Sequence, residues 1–355
     1  MKVELWRRNV TLESPVAAAN ERHAVRSRLY LGVEFDGETG YGEVSPQPAA
    51  LNGDPAVSDV LDELGAVVLP QLRQIIDREG SLPSWSRVAR LAGPRAASNP
   101  AVSLVEMALL DREMRVAETS VEELWPPLYD TPLQSTVSLI ELDPWLIDQG
   151  ATRLRVKVRP GAVESSMLQR LASVHLPVLL DFNCSASSDA EVIELVGAVR
   201  PHAEIEGVEQ PFAPGNVIDH ARLGEQLDVA ISLDEGIRSP RDIDQVVRYR
   251  AASIVCVKPA RVGGLANART IIMRAKEAGL RPYVGGFFES PYARCVHSAL
   301  ARSLVDEPSD LAIVGIEESA YGSEVEYRHH SFGAVPATRM LETSHLVTTV
   351  ESTRI

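Results

Sequence analysis

The chain has 355 residues, 45% of them hydrophobic, enough to fill a core larger than one compact unit, so a barrel-sized domain with a smaller companion is expected. Its formal charge of −14 excludes a phosphate-tracking surface, because nucleic-acid binding needs clustered Lys and Arg. Three widely spaced cysteines (Cys184, Cys256, Cys295) exclude a disulfide framework or zinc cluster, and no apolar run reaches the roughly 18 residues of a membrane span or resembles a signal peptide, so a cytoplasmic location is expected.

The first third has mixed α+β texture. In RSRLYLGVEFDGETGYGEV, Leu29, Leu31, Val33 and Phe35 alternate with polar or small residues and then meet Asp36-Gly37, a hairpin signal. DPAVSDVLDELGAVV, from Asp54, carries apolar residues at helical spacing. SNPAVSLVEMALLDREMRVA predicts a helix capped by Asn99 before Pro100, with Val102, Val105, Ala108 and Leu109 as its apolar stripe. The proline-rich WPPLYDTP, Trp125 to Pro132, marks a boundary. From Gln134 the texture changes to short apolar runs between helix-like segments: STVSLI, TRLRVKV, LPVLLD, IEGVEQP, VAISLDE, ASIVCVKP, RPYVGGF and LAIVGI. Continuous apolar strands separated by helices indicate a parallel sheet covered on both faces, and eight of them in under 200 residues predict a closed α/β barrel of (β/α)8 type. The expected organisation is an α+β capping domain over 1–125, the barrel over 130–320, and a tail, 321–355, packing back on the capping domain.

The barrel runs end on charge. Lys157 closes the second, Asp181 the third, Glu209 the fourth, Asp234 the fifth and Lys258 the sixth, at intervals of 24, 28, 25 and 24 residues, and the seventh ends near Glu289. The carboxyl ends of barrel strands face one mouth, where this architecture places its chemistry. Three carboxylates meeting there repel one another and lose solvation, which implies a cation among them; an all-oxygen set favours Mg²⁺ over zinc or copper. Lys157 and Lys258 flank the triad in strand order and so stand on opposite sides of it. An ammonium beside a divalent ion has a lowered pKa that makes the neutral base accessible, and Arg155, on the same strand face as Lys157, adds to that effect. Asn183 is placed to hydrogen-bond a metal-bound water or the substrate, and Glu235, beside Asp234, points elsewhere and supports from behind. Such a set suits removal of a proton next to a carboxylate, with the developing charge stabilised in a dry site.

Each residue alone has an ordinary reading: Asp181 as a turn residue, a mouth lysine as solvated, Gly263-Gly264 as a tight turn rather than a phosphate cradle. His329 and His330 read as surface, His297 and Cys295 as packing. Five charged strand ends in the order base, acid, acid, acid, base carry the functional reading, and a non-catalytic barrel binding an acidic ligand has no use for two bases.

These residues also carry a resemblance. RVKV (Arg155 to Val158), DFN (Asp181 to Asn183), EQP (Glu209 to Pro211), LDEG (Leu233 to Gly236) and KPARVGG (Lys258 to Gly264) resemble the signature of the enolase superfamily. GYGE (Gly40 to Glu43) and VEMALLD (Val105 to Asp111) look like its capping domain. Lysines on the second and sixth strands place the pattern with the muconate-cycloisomerase-like group. The resemblance implies the modified (β/α)7β form of the barrel and a Mg²⁺-dependent lyase acting on a small-molecule carboxylate. In it Lys157 takes the α-proton, Lys258 stabilises the enolate from the opposite face, and water is lost; a racemase or cycloisomerase of the same group is the alternative. Asp181, Glu209 and Asp234 become the metal ligands, with Arg155, Asn183, Glu235, Gly286, Glu289 and Ser290 around the substrate. A cap closing over the mouth gives the segment from Ser14 to Arg26 a part in specificity. The chain departs from the pattern at Arg155, where a first Lys of Lys-x-Lys is usual, at Gly236, where Ser is common, and at SPYAR (Ser290 to Arg294), where Thr-Gly-x-Gly is usual.

Overall fold

The computed structural model describes residues 1–17, 22–91, 93, 95–129, 134–138 and 151–311, with the short segments 327–328, 331–332 and 353–354. The N-terminal part begins with three antiparallel strands, β1 (Lys2–Ala17), β2 (Arg22–Phe35) and β3 (Glu38–Val44). Asp36 and Gly37 join the last two at φ 53 and 80, the positive values that match a tight turn to strand twist. The two-residue strand Thr353–Arg354 pairs with β1, Arg354 lying opposite Glu4. Tyr327–Arg328 and Ser331–Phe332 pair with each other, and the remaining residues of the expected tail, His329 and His330 included, lie outside the described residues.

The segment after Asp54 forms α1 (Val57–Glu63), which passes through a π-turn at Leu64–Val68 into α2 (Leu69–Glu79). Gly80, at φ 70, ends it as a left-handed cap. The long helix α3 (Ser98–Ala117) corrects one sequence reading. Its N-cap position is Ala97, not Asn99. The Asn99 amide instead donates to the backbone oxygens of Arg238 and Arg261 at 3.0 and 2.7 Å, tying the helix to two barrel loops. The expected stripe of Val102, Val105, Ala108 and Leu109 is present, and a second apolar face adjoins it. Val102, Leu104, Val105, Ala108 and Leu109 fill the core of the cap, while Met107, Leu110 and Met114 belong to the core of the barrel. After it, α4 (Val121–Leu124) starts with a Ser120–Glu123 capping box.

The glycines of GYGE are where β3 meets α3. A Cβ on Gly42 would overlap the carbonyl oxygen of Leu104 and stand 2.9 Å from the Ala108 amide nitrogen, both helix backbone that has nowhere to retreat. We therefore expect Gly42→Ala to cost about 1–3 kcal/mol, the usual range for overpacking, read as a lowered thermal midpoint.

Seven parallel strands follow in sequential order: β4 (Gln134–Ser138), β5 (Arg153–Lys157), β6 (Val178–Asp181), β7 (Ile205–Glu209), β8 (Ala230–Leu233), β9 (Ile254–Val257) and β10 (Arg281–Val284). The helices between and after them are α5 (Ser165–Ala172), α6 (Asp189–Val199), α7 (Val217–Gly224), α8 (Pro240–Tyr249), the one-turn α9 (Pro259–Val262), α10 (Leu265–Glu277) and α11 (Pro291–Leu304). The fold is an α/β barrel of (β/α) type with an N-terminal α+β cap. Seven of the eight expected runs are strands; the last, LAIVGI, begins at Leu311 and from Ala312 lies outside the described residues, although Asp310 just before it bridges Gly285 in parallel. Among the described residues no helix is long and apolar enough to cross a membrane.

The Gly263-Gly264 turn has a second use. Gly263 and Gly264 stand at φ 87 and 110, and the Glu106 carboxylate from α3 accepts the amide protons of Leu265 and Ala266 at the start of α10. A Cβ on Gly264 would overlap Glu106 Oε2. The glycines thus admit a carboxylate of this chain's own cap helix to a helix N-terminus, where backbone N–H groups favour an acceptor.

Candidate active site

Strand register assembles the mouth. Lys157 is paired with Asp181 and Asp181 with Glu209, so three charged side chains stand level on β5, β6 and β7. Asp234 follows the last residue of β8, and Lys258 follows β9. Asp181, Glu209 and Asp234 are fully buried.

All three carboxylates converge on one cation, the guanidinium of Arg155. Arg155 Nη2 lies 2.8 Å from Asp181 Oδ2 and 3.3 Å from Asp234 Oδ2 and also contacts Glu209 Oε1, to which Arg155 Nε donates at 2.6 Å. Burial disfavours charge on Arg155, yet Asp181 and Glu209 outweigh it and hold the group well above its ordinary range. The same balance separates the acids. Burial is overcome at Asp181 by Arg155 and Lys157, and at Asp234 by Arg261, Lys258 and Arg155, so both are held below the usual carboxylate range. At Glu209 burial prevails over Arg155 and pushes the carboxyl up; it is also bonded by Ser232 Oγ at 2.9 Å and by the Tyr283 hydroxyl.

The donors suit a hard divalent ion in kind and in direction, being three buried oxygen ligands aimed at one point. Their spacing here is that of guanidinium contacts, and among the described residues no three His, Cys, Asp or Glu side chains form a ready-made metal cage.

The lysines stand at the two ends of this row. Lys157 Nζ donates to Asp181 Oδ2 at 3.0 Å and to Asn183 Oδ1 at 2.6 Å. Lys258 Nζ donates to Asp234 Oδ2 at 2.7 Å and lies 5.1 Å from the centre of the Phe287 ring. Burial opposes its charge, but Asp234 outweighs burial and raises Lys258, opposite to the direction expected beside a metal, because its nearest charge here is a carboxylate. Asn183 adopts φ 43, receives a hydrogen bond from Asn52 of the cap at its backbone oxygen, and gives its amide to Glu235 Oε1 at 3.2 Å. Burial, reinforced by Asp234, pushes Glu235 up to about 7.

Three further residues shape the site without having been singled out in the sequence. Arg261, three positions after Lys258 and so on the same side of the helical turn, contacts Asp234 Oδ1 and donates to both oxygens of Asp54 at 2.8 and 2.7 Å. Asp54 belongs to the cap, so one arginine joins the triad to it. Gln210, at φ 39, uses Oε1 to accept from the amides of Asp234 and Gly236, both at 3.0 Å, fixing the loop after β8.

Gly286, Glu289 and Ser290 form the loop after β10. Glu289 accepts from the Phe287 amide at 2.8 Å and faces Arg294 Nε at 3.2 Å, and a Cβ on Gly286 would stand 2.7 Å from Glu289 Oε2. Ser290 donates its amide to Glu43 Oε1 at 2.6 Å, gives its hydroxyl to the same carboxylate and caps α11. Behind Glu289, His297 is buried beside Glu289 and Arg294, with no hydrogen-bond partner for Nδ1 among the described residues, and burial lowers it from 6.5 to about 4. The folded protein therefore refuses a proton that the unfolded chain accepts below 6.5. Stability present above that pH falls as the pH drops toward 4, by up to about 1.4 kcal/mol per unit. His297→Gln should flatten this limb of a plot of thermal midpoint against pH.

The chain matches the family model described as Enolase C-terminal domain-like over residues 141–345. It is 28% identical over 313 residues to the o-succinylbenzoate synthase of Bacillus subtilis, covering 84% of this chain and 81% of that protein. It is 26% identical over 307 residues to the N-succinylamino acid racemase of an Amycolatopsis species, covering 84% and 82%. A solved member of the enolase superfamily from Listeria innocua superposes with a TM-score of 0.84 at 20% identity, covering 100% of this chain and 98% of the other.

Proposed function

Because this chain belongs to the Enolase C-terminal domain-like family and is an enzyme of the enolase superfamily, we propose that it removes the proton α to a substrate carboxylate and eliminates water, as an o-succinylbenzoate synthase in menaquinone biosynthesis. The observation that carries the reading is the buried row of Asp181, Glu209 and Asp234 with Lys157 at one end and Lys258 at the other.

Asp181, Glu209 and Asp234 would hold a divalent cation, Mg²⁺ by the hardness of an all-oxygen set, which supplies positive charge against the negative charge gathering on the substrate carboxylate. Lys157 Nζ, steered by Asp181 and Asn183, takes the proton as the C–H pair moves into a new C=C bond. Lys258 Nζ, fixed by Asp234 and covered by Phe287, keeps an ammonium against the opposite face of the developing enolate. The C–O bond then breaks, and the proton on Lys157 leaves with the departing hydroxyl as water. The cap loop through Asn52 and Asp54 is tied to the mouth at Asn183 and Arg261.

Two lysines at opposite ends of one carboxylate row also suit passing a proton across a carbon, which supports racemisation of an N-succinyl amino acid as the second reading. Incubation with 2-succinyl-6-hydroxy-2,4-cyclohexadiene-1-carboxylate and Mg²⁺ separates them. Formation of 2-succinylbenzoate, followed by ultraviolet absorbance, is expected. Its absence at every enzyme concentration, with α-proton exchange into an N-succinyl amino acid, would replace the dehydratase by the racemase.

A further inference from the structure

Among the described residues Arg155 is the one cation in contact with all three acids of the row. A single nitrogen, Nη2, takes one oxygen from each: Asp181 Oδ2 at 2.8 Å, Asp234 Oδ2 at 3.3 Å, and Glu209 Oε1. The acids differ in what else they hold. Asp181 also has Lys157, and Asp234 also has Lys258 and Arg261. Glu209 has no second cation among the described residues; its other partners are the hydroxyls of Ser232 and Tyr283. Arg155 is buried and sits on β5 two residues before Lys157, so the strand itself delivers the guanidinium to the middle of the row. Where Lys is usual at this position, a single compact charge would stand; the planar fork of arginine reaches several oxygens at once.

A divalent ion held by these acids at about 2.1 Å needs oxygens that Nη2 already faces. Two cations cannot stand at one point of a buried site, so ion and guanidinium are alternatives there. The other edge of the guanidinium shows what arginine keeps when it yields. Its Nη1 lies 3.3 Å from Asp310 Oδ2, a carboxylate outside the row. We propose that Arg155 is the resident counter-ion of the triad, that a divalent ion binds by displacing it and leaving it to Asp310, and that this exchange sets the enzyme's affinity for the ion. The inference rests on the reading of the triad as the ion's ligands, and holds whether the reaction is elimination or racemisation. Its consequence is a mouth whose acids stay paired without the ion, and an ion affinity lowered by the bonds that must first be broken.

The test is calorimetric titration of chelator-treated protein with Mg²⁺, wild type against Arg155→Met, Asp310→Asn and the double variant. Arg155→Met should bind Mg²⁺ at least about tenfold more tightly, the scale of one charge-assisted bond that the ion no longer has to break. Asp310→Asn should bind it about threefold more weakly, because the displaced arginine has lost its remaining carboxylate. The same change should have no effect in the Arg155→Met background, since the two act through one interaction. Before Mg²⁺ is added, Arg155→Met should also melt below wild type, and saturating Mg²⁺ should raise its thermal midpoint by more. If Arg155→Met does not fold, by circular dichroism, Arg155→Lys, which keeps the charge without the fork, carries the comparison and should bind Mg²⁺ about threefold more tightly than wild type. Unchanged or weaker Mg²⁺ binding in the folded Arg155 variant would overturn the exchange and leave the triad as the ion's site. An Asp310→Asn effect of equal size in both backgrounds would overturn the part given to Asp310. Failure of wild type and every variant to bind Mg²⁺ would overturn the reading of the triad itself.

Discussion

Lys157→Ala should yield a folded protein that has lost exchange of the substrate's α-proton. A positioned general base contributes about 10²–10⁴ in rate, so turnover should fall by at least the middle of that range. The substitution is structurally mild for two reasons. The Lys157 side chain is 15% exposed, so its truncation opens toward the mouth and not into a sealed core. Asp181, its partner, keeps Arg155 at 2.8 Å and is not left as an unpaired buried charge. Proton NMR in D₂O with a candidate carboxylate substrate measures exchange directly, and circular dichroism checks the fold. Undiminished exchange in the variant would move the base elsewhere. Lys258→Ala gives a useful contrast, because Lys258 is more deeply enclosed and its loss leaves Asp234 to Arg155 and Arg261.

Asp234→Asn should be the most disruptive single change at the mouth. Asp234 is the shared partner of Arg155, Lys258 and Arg261, all buried. Removing one member of a buried ion pair costs about 3–5 kcal/mol, because the remaining charge has lost both water and partner. Here three cations lose a common anion, and the upper end of that range is expected, seen as a fall of several degrees in thermal midpoint. Divalent-ion binding followed by calorimetry should weaken by at least tenfold in the same variant, since one of three oxygen ligands becomes neutral. A variant as stable as wild type would mean that the three cations find compensation outside the triad.

The barrel was legible because its strands are buried on both faces and so read as unbroken apolar runs; a charge at the end of such a run stands out against them. The register that sets Lys157, Asp181 and Glu209 side by side follows from parallel pairing of strands whose charged ends recur at nearly constant spacing. What the sequence hid was long-range partnership. Asn99 carries every local mark of a helix cap, and its amide is taken instead by carbonyls of Arg238 and Arg261, more than 130 positions away. Asp54 reads as the start of a helical segment, yet it holds Arg261 and, through it, Asp234. Arg155 reads as a neighbour of the base, while its guanidinium stands at the centre of the acid triad. Local pattern fixes direction along an element, but it carries no information about which distant carbonyl or carboxylate will need a donor.

Helix α3 sends Leu104, Val105 and Ala108 into the core of the cap and Met107, Leu110 and Met114 into that of the barrel, and its Glu106 holds the first turn of α10. Each half of the molecule therefore presents a raw apolar seam if the other is cut away. Recombination that grafts the front of one relative onto the back of another would have to carry this helix together with both of its linings. Selectivity is more readily altered by substitution within the intact polypeptide than by exchange of modules.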